Sequence, residues 1–298
     1  TMLLCLLDNH PQLLTYPPDS GFFYRYFPHC EKPEITLKQR VEMMSQQVVT
    51  HLERELQTIP KELLATLSFD HAAFDKRFRE YALATEGKAR DMLISLMRAY
   101  RSCYEGSPQA LRWVEKTTSS EIYAQEIMGW FPKAKFVHIV RDPRDNWGSL
   151  KSGWDKRYSN VNDSQNRLLQ SLIERAGIGL RCAQANLKAF GESRYHVVRF
   201  EDLTANPSFE LSKIADFLEI AYDESMLTPT MCGLSWRGNN FDGKKFDKPS
   251  AENTGRWRKR ITNEEAALIE FHLHDCMDAF DYNGEFNEAE RTKAAAEH

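Results

Sequence analysis

The residues best suited to chemistry lie between Lys135 and Trp154, in the stretch KFVHIVRDPRDNWGSLKSGW. Its apolar run ends on Arg141, Asp142, Arg144 and Asp145, and Ser149 follows eight positions after the first arginine. A guanidinium offers forked N–H donors and a serine a single O–H, a combination that suits one phosphate monoester. The same residues allow a plainer arrangement, in which Arg141 pairs with Asp142 or Asp145 and Ser149 simply packs. Two more polar pairs close β-rich runs: Glu115 and Lys116 after LRWV, and Glu201 and Asp202 after RYHVVRF.

Strands and helices must alternate to position such pairs, and the pattern provides for this. LRWVEKT, AKFVHIV and RYHVVRF read as strands, and Leu13–Thr15 as a further short one. A helix is expected from TTSSEIYAQEIMGWFP, where Thr118 and Glu121 stand at capping-box spacing. Others follow Arg141, run through QNRLLQSLIERAGIGLRCAQANLKAF, and begin at Asn206 before Pro207. Strands alternating with helices imply an α/β fold, with a mainly parallel central sheet flanked by helices. Ligands of such sheets collect at the carboxyl ends of the strands, which is where the three polar pairs stand.

Composition narrows the function. The 298 residues carry a net charge of −4, which argues against a dedicated nucleic-acid binder. No apolar run is long enough to span a bilayer. Six cysteines are scattered without a C-x-x-C pair, which fits free thiols in a reducing, cytoplasmic compartment. A lumenal domain with its N-terminal anchor removed is the alternative. His272 and His274 are two apart and do not share a helix face, so no metal is expected there. From about residue 34 to 105 the pattern is helical, and TKAAAEH at the end reads as a flexible tail over 291–298.

Taken in order, LLDNHPQL, VEKTTSS, FPKAKFVHIVRDPRDNWGSL, RFEDLTANP with IADFL, and NTGRWRKRIT resemble the sulfotransferase family. Its members move a sulfuryl group from 3′-phosphoadenosine 5′-phosphosulfate (PAPS) and release adenosine 3′,5′-bisphosphate (PAP). The resemblance implies a P-loop NTPase-like sulfotransferase fold in one domain over residues 1–290, with the helical region 34–105 on the acceptor side. It implies that Arg141 and Ser149 bind the 3′-phosphate, that Gly255 and Arg256 add contacts from a late loop, and that Lys116 points at the transferred group, the alternative being a surface lysine paired with Glu115. Thr1 matches the end of a Gly-rich phosphosulfate loop, so the rest of that loop and a first strand are expected ahead of it. PAPS is then the cosubstrate, without a metal, and the partner is an acceptor hydroxyl on a small molecule, a carbohydrate, a peptide or a carrier-bound acyl chain.

A base must take the hydroxyl proton. Relatives with a carboxylate base carry a Glu a short extended segment after the HP motif. In HPQLLTYPPDSGFFY that position falls near Asp19. Burial that raised its pKa would suit Asp19 to the task; the alternative is a cap for a helix beginning near Ser20. His10 reads as part of a structural turn. Tyr16, Phe22, Phe23, Tyr24, Tyr26 and Phe27 suit either an apolar acceptor pocket or the core. Two other functions fit parts of the pattern: a non-catalytic sulfotransferase-like binding protein, and a kinase using Asp142 for magnesium.

Overall fold

Two parallel strand pairs form where the alternating pattern predicts them. A computed structural model describes residues 1–17, 19–56, 59, 61–160, 164–238 and 243–298; Pro18, in the Pro-rich loop before Asp19, lies outside the described residues. The chain divides into two compact units, one of residues Thr1–Pro132 with Ile220–Arg237, the other of Lys133–Glu219 with Gly238–His298.

In the first unit, helix α1 (Met2–Leu7) leads into strand β1 (Leu13–Thr15), all of it buried. His10 shapes the turn between them: its Nε2 lies 2.8 Å from the Ala221 carbonyl and its Nδ1 accepts from the Gln12 amide. Five helices follow: α2 (Leu37–Met44), α3 (Thr50–Leu56), α4 (Lys61–Leu64), α5 (His71–Leu83) and α6 (Ala89–Cys103). Strand β2 (Arg112–Val114) then pairs in parallel with β1, Leu13 opposite Arg112 and Thr15 opposite Val114. The pairing runs on past the ladder, since the Tyr16 amide donates to the Val114 carbonyl at 2.9 Å and Ser20 to Lys116 at 3.0 Å. Tyr16 and Ser20 are thereby drawn alongside Val114 and Lys116.

The helices between β1 and β2 close over an aromatic core. α6 buries Met92, Leu93, Leu96, Met97 and Tyr100 along one face, the spacing of an amphipathic helix. Tyr16, Phe22, Phe23, Tyr26 and Phe27 pack among them, and only Tyr24 of that set is exposed, at 42%. These rings are therefore core and do not line an acceptor pocket; burying each one stabilises the unit by about 1.5–3 kcal/mol. Helix α7 (Ala124–Trp130) begins differently from the expectation. Thr118 does not cap it: Ser119 takes the left-handed conformation at φ 73°, a 3₁₀ turn over Ser120–Tyr123 precedes the helix, and the Thr118 hydroxyl turns to Asp19. A short antiparallel ladder, Thr230–Met231 with Leu234–Ser235, completes the unit.

In the second unit, β3 (Phe136–Val140) pairs in parallel with β4 (Tyr195–Arg199), Val140 opposite Arg199. Helix α8 (Pro143–Ser152) starts at once, with Pro143 at its first position and Asp142 as its cap. The long α9 (Gln165–Phe190) carries the chain back to β4, and α10 (Phe200–Ala205) and α11 (Pro207–Leu218) follow that strand. α12 (Asn263–Asp278) opens on a Thr262–Glu265 capping box and packs on α9. Residues 291–298, expected as a tail, instead fall in α13 (Glu288–Glu297) and its C-terminal cap. An Asn287–Glu290 capping box starts that helix, and its small residues let Ala294 bury in the core.

Candidate functional site

In the second unit, Arg141 follows the last residue of β3, and the acids around it are engaged elsewhere. Both oxygens of Asp142 accept from Arg144, at 3.0 Å from Nε and 2.8 Å from Nη2. Arg144 goes on to Glu270 at 2.6 Å, donates to the Asn283 carbonyl and lies over the Trp257 ring. Asp145 accepts from the amides of Gly255 at 2.6 Å and Trp257 at 2.8 Å. Glu201 takes the Asp142 amide and the Tyr282 hydroxyl. The plain pairing of Arg141 with Asp142 or Asp145 is therefore not formed. Asp142, its two oxygens committed to a buried guanidinium, is not set up as a magnesium ligand.

What remains to Arg141 is little. Its Nη2 donates to the Asn253 carbonyl at 3.0 Å and its guanidinium lies 4.4 Å from the centre of the Phe200 ring. Its Nε is buried with no hydrogen-bond partner among the described residues. Burial lowers its pKa, while the charges of Asp145, Glu201 and Asp142 pull the other way. A desolvated cation with uncommitted donors suits an incoming anion. Ser149 lies one helical turn beyond Asp145 on the same face of α8. It is half-buried, and its hydroxyl makes no hydrogen bond to a described residue.

The 253–257 turn joins this cluster by its backbone. Gly255 sits at φ +69°, which favours glycine, and spends its amide on Asp145. Its conformation and this bond shape the turn. Arg256 donates to the Asn253 side chain at 2.7 Å, beside the carbonyl that receives Arg141. Gly148 permits close approach of the same segment to α8, since a Cβ there would stand 3.3 Å from the Arg260 Cβ.

In the first unit, Lys116 and Asp19 meet, with Nζ 2.5 Å from Oδ2. That oxygen also accepts from the Thr118 hydroxyl at 2.8 Å and amide at 3.3 Å, and Oδ1 from the Gly21 amide at 3.0 Å. Lys116 is thus paired across the two segments and not with its neighbour Glu115. Burial pushes the Asp19 carboxyl up, but the Lys116 charge and these donors outweigh it and hold the carboxyl below its ordinary value. The raised pKa expected of a buried base is not what the site imposes. The helical turn that follows runs over Phe22–Tyr26 with Gly21 as its cap residue and no side-chain capping bond, so Asp19 braces the Gly21 amide without capping that turn.

Glu115 is the group that sequence reasoning undervalued. Its Oε1 accepts from Ser20 Oγ and Thr117 Oγ1, and those hydroxyl oxygens lie 2.8 Å apart. Burial raises its pKa to about 7; the two hydroxyls oppose that shift, Asp19 adds to it, and Lys116 opposes it. Thr1 occupies the cap position of α1, where its carbonyl accepts from the Cys5 amide at 3.0 Å and its side chain makes no capping bond. Among the described residues no three His, Cys, Asp or Glu side chains are grouped to hold a metal, and no helix is long and apolar enough to cross a membrane.

A family model described as the sulfotransferase family matches residues 1–224. Among solved structures, the sulfotransferase domain of the olefin synthase from Synechococcus PCC 7002 matches with a TM-score of 0.60 and 20% identity, over 95% of this chain and 90% of that one. The sulfotransferase domain from the curacin biosynthetic pathway matches at 0.56 and 17% identity, over 95% of this chain and 93% of that one. No curated protein sequence matches.

Proposed function

The chain belongs to the sulfotransferase family and has its α/β fold, and on that premise we propose that it moves a sulfuryl group from PAPS to an acceptor hydroxyl, releasing PAP. The observation that carries this reading is Arg141, a half-buried guanidinium after a strand whose Nε is buried without a described partner, with three acids near it and none in hydrogen-bond contact. Such a cation is costly to the fold by itself and is matched when a phosphate supplies the missing acceptors. In this reading Arg141 and Ser149 grip the 3′-phosphate, Arg256 adds charge from its turn, Gly255 shapes that turn, and Thr1 belongs to the phosphosulfate contacts.

Transfer requires an in-line attack, so the protein's work is positioning, charge stabilisation and removal of one proton. Asp19 takes the proton of the acceptor hydroxyl as the new O–S bond forms. The S–O bond to the phosphate breaks, and its electron pair leaves with the phosphate. Lys116 donates to the sulfuryl oxygens. Its resting partner helps here: as Asp19 gains the proton its charge is lost, the ion pair weakens, and Lys116 is released to the developing charge. The depressed pKa of Asp19 weakens it as a base and makes that release the compensating feature.

The acceptor is defined by its hydroxyl alone, whether on a small molecule, a carbohydrate, a peptide or a carrier-bound acyl chain. Transfer of labelled sulfate from PAPS to pooled acceptors of each class, in the presence of a chelator, is the test. Label on one class supports the reading. Absence of both transfer and calorimetric PAP binding overturns it, and magnesium-dependent ATP turnover would put a kinase in its place.

A further inference from the structure

We propose that Glu115 is a positioning residue for the transfer step, its ionised form clamping the two segments that carry Asp19 and Lys116. This rests on the reading of Asp19 and Lys116 as the transfer pair. The clamp is a matter of hydrogen-bond counting. Ser20 follows Asp19 in the chain and Thr117 follows Lys116, and both hydroxyls end on one oxygen of Glu115. Ser20 Oγ already accepts from the Phe22 amide at 3.1 Å, so its single proton is free to be given away. An ionised Glu115 receives both protons. A proton on Oε1 would displace one of the donors and loosen one of the segments.

The charged and titratable groups facing Glu115 come from three places. Asp19 stands on one turn, Lys116 on the other, and Tyr16 follows β1 with a buried hydroxyl that has no described partner. Burial is the largest influence and brings the titration of Glu115 to about neutrality. Electrostatics acts in the same direction as the clamp. Asp19 raises the proton affinity of Glu115, and by linkage an ionised Glu115 raises that of Asp19. Above neutrality Asp19 is therefore both better held and a stronger base.

The test follows Asp19 directly. Aspartate carboxyls of the full chain are labelled with carbon-13, the Asp19 signal is assigned by its loss in Asp19→Asn, and its shift is read against pH. In the wild-type protein that signal is expected to show a step near neutrality, far above the titration of Asp19 itself. Glu115→Gln should abolish the step. Thr117→Val, which removes one donor to the charged form, should move it to higher pH, and it decides the matter if the glutamine variant does not fold. The rate of sulfate transfer should rise across the same step in wild type, lose that rise in Glu115→Gln, and recover it in Glu115→Asp. A step equally present in wild type and Glu115→Gln, or none in wild type, overturns the proposal. Because the carboxyl signal needs no turnover, a protein that shows the step yet transfers no sulfate counts against the proposed function and not against the clamp.

Discussion

Replacing Arg141 with alanine should separate affinity from stability. The substitution removes one charge-assisted bond to the Asn253 carbonyl, about 1.5–3 kcal/mol, and a cation over the Phe200 ring, about 0.5–2 kcal/mol. Against this it removes a half-buried guanidinium whose Nε is buried and unmatched, a penalty of about 1–3 kcal/mol for a polar group left without a partner. The terms offset, so folding stability should stay within about 2 kcal/mol of wild type, a change in melting temperature of roughly 4–8 °C at most for a chain of this order. Affinity should change far more. Two charge-assisted bonds to a phosphate are together worth about 3–6 kcal/mol, and at 1.4 kcal/mol per decade PAP should bind about a hundredfold to ten-thousandfold more weakly. Titration calorimetry with PAP and a thermal melt of the same preparation read the two quantities separately. Arg141→Lys, which keeps the charge and loses the fork, should fall between. An unchanged PAP affinity in a folded variant would refute the phosphate grip. A large fall in melting temperature would refute the view of Arg141 as a cation the fold itself does not need.

Three other outcomes are expected. Asp19→Asn should keep PAP affinity in calorimetry and lose sulfate transfer by about a hundredfold or more, the range for a general base. Arg144→Met leaves Glu270 and Asp142 buried without their common cation, and denaturant unfolding should show a loss of about 3–5 kcal/mol. His138 is held down to about 4 by burial, so the folded state keeps it neutral where the unfolded chain binds a proton. Its contribution is whole above about pH 6.5 and lost as the pH falls toward 4, and His138→Gln should flatten the stability profile in that window.

The strands β1 to β4 and their parallel sense were legible because local pattern and crossover helices agree on them, whereas the partner of each strand came from the structure. The sorting of charges after β3 was not. Arg141 and Arg144 are the same residue type three positions apart, and nothing local says which is structural. Only the packing of α8 against α12 and the 256–259 turn brings Arg144 to Glu270 and Trp257, more than a hundred positions away. That is why a pairing of Arg141 with its neighbouring acids looked reasonable and does not occur. The aromatic run at 22–27 could be read two ways for the same reason, since it becomes core only when α2–α6 close over it.

The Glu115 cluster differs, because its arrangement was present in the sequence as a period of two. Along an extended segment successive side chains point to opposite sides. Glu115 and Thr117 must then share one side, and Lys116 and Thr118 the other, which rules out an easy pairing of Glu115 with Lys116. The partner segment follows the same logic, with Asp19 meeting Lys116 and Thr118 while Ser20 meets Glu115 and Thr117. One ladder end thus sorts six polar residues into an ion pair on one side and a hydroxyl-capped carboxyl on the other. Any shift of the 19–20 segment by one residue would exchange Asp19 for Ser20 and set two carboxylates against each other. The β1–β2 register is therefore what keeps the charge of Lys116 on Asp19, and the chemistry proposed for that pair depends on the three-residue ladder beneath it.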